Sequence, residues 1–100
     1  MSTNYYLEIE GEENLHLGLY VANKSFGFKA HSDIRSYADW QIKFQSGIIC
    51  DFYGRPMTVT EFDNMVRKNK DLPNPHWCVY GWSTYFQDSE GFYFSENDFG

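Results

Sequence analysis

A change in the period of its apolar residues is the strongest constraint this chain places on its own fold. Over residues 4–10 the side chains alternate, with Tyr5, Leu7 and Ile9 on one side and Tyr6, Glu8 and Glu10 on the other. That two-residue period belongs to a strand with one buried face. Residues 11–14 turn, after which Leu15, Leu17 and Leu19 alternate against His16 and Tyr20. Beyond Asn23 and Lys24, Phe26, Phe28 and Ala30 alternate with Gly27 and Lys29. The first third is therefore predicted to be a three-stranded antiparallel meander. At Ser36 the period lengthens. Tyr37, Trp40 and Phe44 form one stripe of a short helix over 36–46, which Ser36 caps, with Asp39 near its positive end and Gly47 close to its stop.

Residues 48–52 are apolar on both faces apart from Asp51, the pattern of a central two-sided strand, and 53–56 supply its exit turn. Thr58 and Glu61 have capping-box spacing, and Val59, Phe62, Met65 and Val66 give the stripe of a second helix over 58–70. Arg67, Lys68 and Lys70 fall in its last turn, where they complement the negative end of the helix dipole. Pro73 and Pro75 stop it and begin an extended segment over 76–80. Residues 84–87 and 92–94 are expected to pair as a hairpin across 88–91. The whole reads as a single α+β domain, 1–100, with an antiparallel sheet of about four to six strands and two helices on one face. A chain of this length buries roughly two thirds of its unfolded surface, so it needs neither metal nor disulfide to fold.

Charge is unevenly spread. Residues 1–23 carry four acids and no base, 24–70 hold all eight bases with five acids, and 71–100 carry five acids and no base, for a net charge of −6. Neutralising phosphates supplies much of the affinity of nucleic-acid binders, so direct nucleic-acid binding is disfavoured. Binding to an anionic membrane is disfavoured for the same reason. Nothing at the start resembles a leader, and no apolar run is long enough to span a bilayer, which suggests a cytoplasmic protein. In that compartment Cys50 and Cys78 are expected as buried free thiols.

A search for reaction chemistry finds little. His16, His31, His76, Cys50 and Cys78 are the soft ligands, yet only His76 and Cys78 are closely paired, with no second pair to close a tetrahedron. No metal and no cofactor are expected. There is no glycine-rich phosphate loop, and most carboxylates flank glycines or end strands, so a non-enzymatic role is expected. Arg55 follows a Tyr-Gly turn and is read as satisfying carbonyls or pairing with Asp51.

The binding signal lies at the two ends. Residues 71–100 contain nine aromatic residues among the five acids, combining long-range attraction with contact area. Core filling claims part of this bulk: Trp77, Trp82, Phe86, Phe92 and Phe94 are assigned inward. Tyr85 and Tyr93 fall on the opposite side of their strands. With Asp88, Glu90, Glu96, Asp98 and Phe99 they form a candidate protein-binding surface, to which Glu8, Glu10, Glu12 and Glu13 of the first turn add charge.

In order, Asn4-Tyr-Tyr-Leu, Leu15-His-Leu-Gly, Phe26-Gly-Phe-Lys, Ile34-Arg-Ser-Tyr-Ala-Asp-Trp, Gly47-Ile-Ile-Cys-Asp-Phe-Tyr-Gly-Arg and Asp88-Ser-Glu-Gly-Phe-Tyr-Phe-Ser-Glu-Asn-Asp-Phe resemble a family of small, functionally uncharacterised bacteriophage accessory proteins. The resemblance implies a C-x-x-C pair between the first two strands. Here that stretch is Glu10-Gly-Glu-Glu-Asn, with three acids in place of thiols. It also implies a protein that works in the host cytoplasm by binding and inhibiting or redirecting a host protein. Electrostatics then selects hosts with basic, nucleic-acid-binding clefts, such as the targets of anti-CRISPR or anti-restriction proteins. The alternative is a small-molecule or nucleotide binder that stacks ligands on its aromatics and holds an anion at Arg55 or a helix start. A homodimer that covers unpaired strand edges is compatible with either.

Overall fold

A computed structural model describes residues 2–73 and 85–96. The strands are β1 (Ser2–Glu8), β2 (Leu15–Val21), β3 (Gly27–Lys29), β4 (Ile48–Asp51), β5 (Pro56–Met57), β6 (Tyr85–Gln87) and β7 (Tyr93–Ser95), and the helices are α1 (Tyr37–Lys43) and α2 (Val59–Lys68). A single 3-10 turn, Phe44–Ser46, extends α1. The α+β class is as expected. The sheet is larger than the sequence suggested: among the described residues it has seven strands, in the order β5-β4-β1-β2-β3-β7-β6. It is also mixed rather than wholly antiparallel, because β7 pairs parallel to β3, with Phe28 opposite Phe94. A parallel pair needs a long crossover, and everything from α1 to β6 lies between these two strands.

Both helices begin as the sequence predicts. The Ser36 hydroxyl accepts from the Asp39 N–H at 3.1 Å. Thr58 and Glu61 form the reciprocal box, at 3.0 Å and 2.9 Å. The aromatic stripe of α1 is buried, Tyr37 and Trp40 fully, and the indole N–H donates to the Lys29 carbonyl at 3.2 Å. On α2, Phe62 and Val66 are buried and Met65 packs against the core, whereas Val59 lies outside it. Phe28 is central, with Phe26, Tyr37, Phe92 and Phe94 rings at centroid distances of 4.7 Å to 5.7 Å. Each such ring buries enough surface to contribute about 1.5–3 kcal/mol, with ~0.5–1.5 kcal/mol more for a well-placed pair.

A β-bulge breaks the predicted alternation in β2. Tyr5 is opposite Gly18 but Tyr6 is opposite His16, so Leu17 has no partner on β1. The extra residue reverses the phase of everything after it. Leu15 and Leu17 face the core as expected, but Leu19 does not join them: it packs with Val21 and Tyr93 in a second cluster, and Tyr20 takes the core side. Gly18 is required at this point. A Cβ there would lie 2.4 Å from both the Gly27 carbonyl oxygen and the Phe26 ring.

Residues 48–52 are less fully buried than their apolar pattern predicts. β4 is interior, between β1 and β5, with Ile49 and Cys50 buried, but Ile48 is 59% exposed and Phe52 62% exposed. β5 is only two residues long and pairs with Ile49 and Cys50 alone.

Candidate functional site

The β1–β2 hairpin builds its acidic tip from the turn itself. Gly11 adopts a left-handed φ of +78°, and the Glu12 N–H closes on the Ile9 carbonyl at 3.1 Å. Glu10, Glu12 and Glu13 are thereby turned to solvent. Among the described residues none of the three has a cationic partner. Glu8 precedes them at the end of β1, opposite Ile48 of β4. Its Oε2 accepts from the Cys50 thiol at 3.4 Å. Burial, then that bond and the Glu8 charge, push the thiol up to about 11, so Cys50 is a neutral packed side chain, as the sequence suggested.

The C-terminal acids are placed differently. Asp88 is half-buried and holds three backbone amides: the Tyr37 N–H at 2.8 Å, the Glu90 N–H at 3.0 Å and the Phe92 N–H at 2.9 Å. It closes the β6–β7 turn and ties that turn to the first residue of α1. Glu90 faces Arg67 at 3.6 Å, and Glu96 pairs with Arg35. Arg67 also binds Asp63 at 2.9 Å, and Asp63 accepts from the Tyr37 hydroxyl at 2.8 Å. Burial and then this bond raise the Tyr37 phenol well above its ordinary value. Tyr85 and Tyr93 share one face of the hairpin, 6.4 Å apart, opposite the stacked Phe86 and Phe94. Tyr85 is 41% exposed, but Tyr93 is half-covered against Leu19 and Val21. Asp98 and Phe99 lie outside the described residues, as do Trp77, Cys78, His76 and Trp82.

Strand direction sorts these residues further. β1, β3 and β7 run one way and β2 runs against them. The turn after β1 and Glu96 after β7 therefore lie at one end of the sheet, while the 88–91 turn lies at the other. With strands about 4.8 Å apart, Glu96 is roughly 14 Å across the sheet from β1. Glu8, Glu10, Glu12, Glu13 and Glu96 are brought to a common end, and Asp88 and Glu90 are not.

Two exposed groups escaped sequence reasoning. Ile48 lies beside Glu8 at the acidic end. At the far end of β4, Tyr53 is 74% exposed next to Phe52 on a turn that Asp51 locks. Asp51 accepts from the Tyr53 N–H at 2.9 Å, the Arg55 N–H at 3.0 Å and Arg55 Nε at 2.8 Å. Desolvation raises the Asp51 carboxyl, but these bonds outweigh it and hold it below the ordinary value. The ion pair with Arg55 is the one the sequence suggested. The signal for this turn was present in Asp51-Phe-Tyr-Gly-Arg, where two aromatics precede a turn glycine.

Among the described residues no three His, Cys, Asp or Glu side chains are grouped to hold a metal ion. No helix there is long and apolar enough to cross a membrane. Comparison of the chain with protein-family models, curated proteins and solved structures finds no match.

Proposed function

We propose that this chain is a non-enzymatic binding protein of bacteriophage type that docks its acidic hairpin end on a basic host protein in the host cytoplasm. The partner class is a nucleic-acid-processing or defence protein whose phosphate-binding cleft the carboxylates imitate, and docking inhibits or redirects it. The observation that carries this reading is the hairpin tip: Glu10, Glu12 and Glu13 are exposed without cationic partners among the described residues. Exposed Ile48 next to Glu8 supplies an apolar anchor beside the charge. Unpaired carboxylates keep their full field for a partner, whereas Glu90 and Glu96 spend part of theirs on Arg67 and Arg35. Tyr85, on the edge strand β6, extends the contact area.

Capture from host lysate at low and high salt tests the proposal. A basic nucleic-acid-binding protein should be retained at low ionic strength and released as the Debye length shrinks from ~10 Å at 0.1 M to ~3 Å at 1 M. Retention of no such protein at low salt, or retention indifferent to salt, would sink it.

A further inference from the structure

Away from the hairpin, α2 and the far end of β2 border an open groove of about 330 Å³, lined by Tyr20, Glu61, Asn64, Met65, Lys68 and Asn69. That volume lies at the small end of the range that holds ligands, roughly 300–1,000 Å³. Glu61, Asn64, Met65 and Lys68 recur at the spacing of one helical face. Tyr20 reaches them because the bulge at Leu17 turns it to the helix side. Met65 provides an apolar floor.

Most polar side chains of this groove are uncommitted among the described residues, unlike several of their neighbours on and beside α2. Thr58, Asp63 and Arg67 are all engaged within the fold. The side chains of Asn64, Lys68 and Asn69 and the Tyr20 hydroxyl make no hydrogen bond among the described residues. Glu61 uses one oxygen on the Thr58 N–H and stays anionic, since that bond holds its carboxyl below the ordinary value. Glu61 and Lys68 are seven residues apart, about 10.5 Å along the helix axis at ~1.5 Å per residue. Between and beside them, the two carboxamides each offer a donor and an acceptor.

An acidic and a basic residue whose backbone positions are about 10 Å apart along the helix, with amide edges between and beside them, complement an extended backbone of roughly three residues at ~3.4 Å each. We propose that the groove binds a short extended peptide with free termini, its ammonium toward Glu61, its carboxylate toward Lys68, and its backbone amides bonded by Asn64 and Asn69. Such a site is independent of the acidic hairpin and of whatever docks there.

Trialanine with free termini is the probe, titrated into the nitrogen-labelled full chain and followed by amide resonances. The amides of Tyr20, Asn64, Lys68 and Asn69 should shift and saturate in the millimolar range. Acetylated and amidated trialanine should bind at least about tenfold more weakly, a difference of ~1.4 kcal/mol. Lys68→Glu should abolish binding of the free peptide while leaving the rest of the spectrum unchanged, because Lys68 is exposed. Equal binding of blocked and free peptide, unchanged binding by Lys68→Glu, or shifts absent or centred elsewhere would each overturn the assignment. A nucleoside monophosphate that shifts these amides where trialanine does not would replace it with a nucleotide site.

Discussion

Replacing Asp88 with alanine should unfold this protein far more readily than removing any other acid of the C-terminal hairpin. Its carboxylate accepts from Tyr37, Glu90 and Phe92 amides at 2.8 Å, 3.0 Å and 2.9 Å. A hydrogen bond to a charged group contributes about 1.5–3 kcal/mol net, and an orphaned buried donor loses a similar amount. Glu90 is exposed, so water can replace its bond. Tyr37 and Phe92 are buried, and their amides cannot be rehydrated without opening the contact between hairpin and helix. Counting those two gives a loss of about 3–6 kcal/mol, and at ~4–8 °C per kcal/mol the melting temperature should fall by 12 °C or more. Asp88→Asn keeps an oxygen for Glu90 and Phe92 but points an amide donor at the Tyr37 N–H, so about half of the loss is expected. Urea unfolding followed by tryptophan fluorescence measures both. Glu90→Ala and Glu96→Ala, which break exposed ion pairs, should each change stability by under about 1 kcal/mol. A change in Asp88→Ala below ~0.5 kcal/mol, the level of an ordinary surface substitution, would show that Asp88 does not tether the hairpin to α1.

Gly18→Ala should destabilise by about 1–3 kcal/mol, because one of the two atoms it meets is a backbone carbonyl of β3 that cannot move without loosening the sheet; an unchanged urea midpoint would show that the bulge adapts. Cys50 sets an alkaline limit. Its folded value of about 11 exceeds the reference 9.0, so the stability it confers is complete below 9.0 and lost as pH rises through about 11. The advantage of the natural chain over Cys50→Ala should therefore shrink across that window in urea titrations, and parallel curves would contradict the burial and Glu8 contact on which it rests.

Short-range signals were legible in the sequence because the chemistry that produces them is local. The Thr58–Glu61 box, the Ser36 cap, the Tyr37–Trp40–Phe44 stripe and the alternation of β1 each need only a few neighbouring residues. The bulge was not legible, since Leu17 alternates perfectly until β1 is laid beside it and Gly18 has to clear Phe26. The acidic hairpin tip was visible from its turn glycine and run of acids. In the C-terminal half of the candidate surface, Asp88, Glu90 and Glu96 all have partners within the fold. Asp88 looked like a solvated turn acid, and only its juxtaposition with Tyr37, 51 positions away, shows that it is a tether. In the same way Glu96 meets Arg35 across 61 positions, a pairing set by the parallel β3–β7 ladder rather than by any local pattern.

If the hairpin tip docks on a basic partner, reversing its three carboxylates should weaken binding sharply. Glu10→Lys, Glu12→Lys and Glu13→Lys together alter exposed turn positions, so the fold should be retained. At ~0.5 kcal/mol for each exposed charge, lost attraction plus new repulsion at three positions amounts to about 3 kcal/mol, or roughly a hundredfold in affinity for the captured host protein at low salt. Asp88 and Glu90 lie at the other end of the sheet, and Glu90→Lys should leave that affinity nearly unchanged. An unaltered dissociation constant for the triple variant, or an equal loss from Glu90→Lys, would contradict the account.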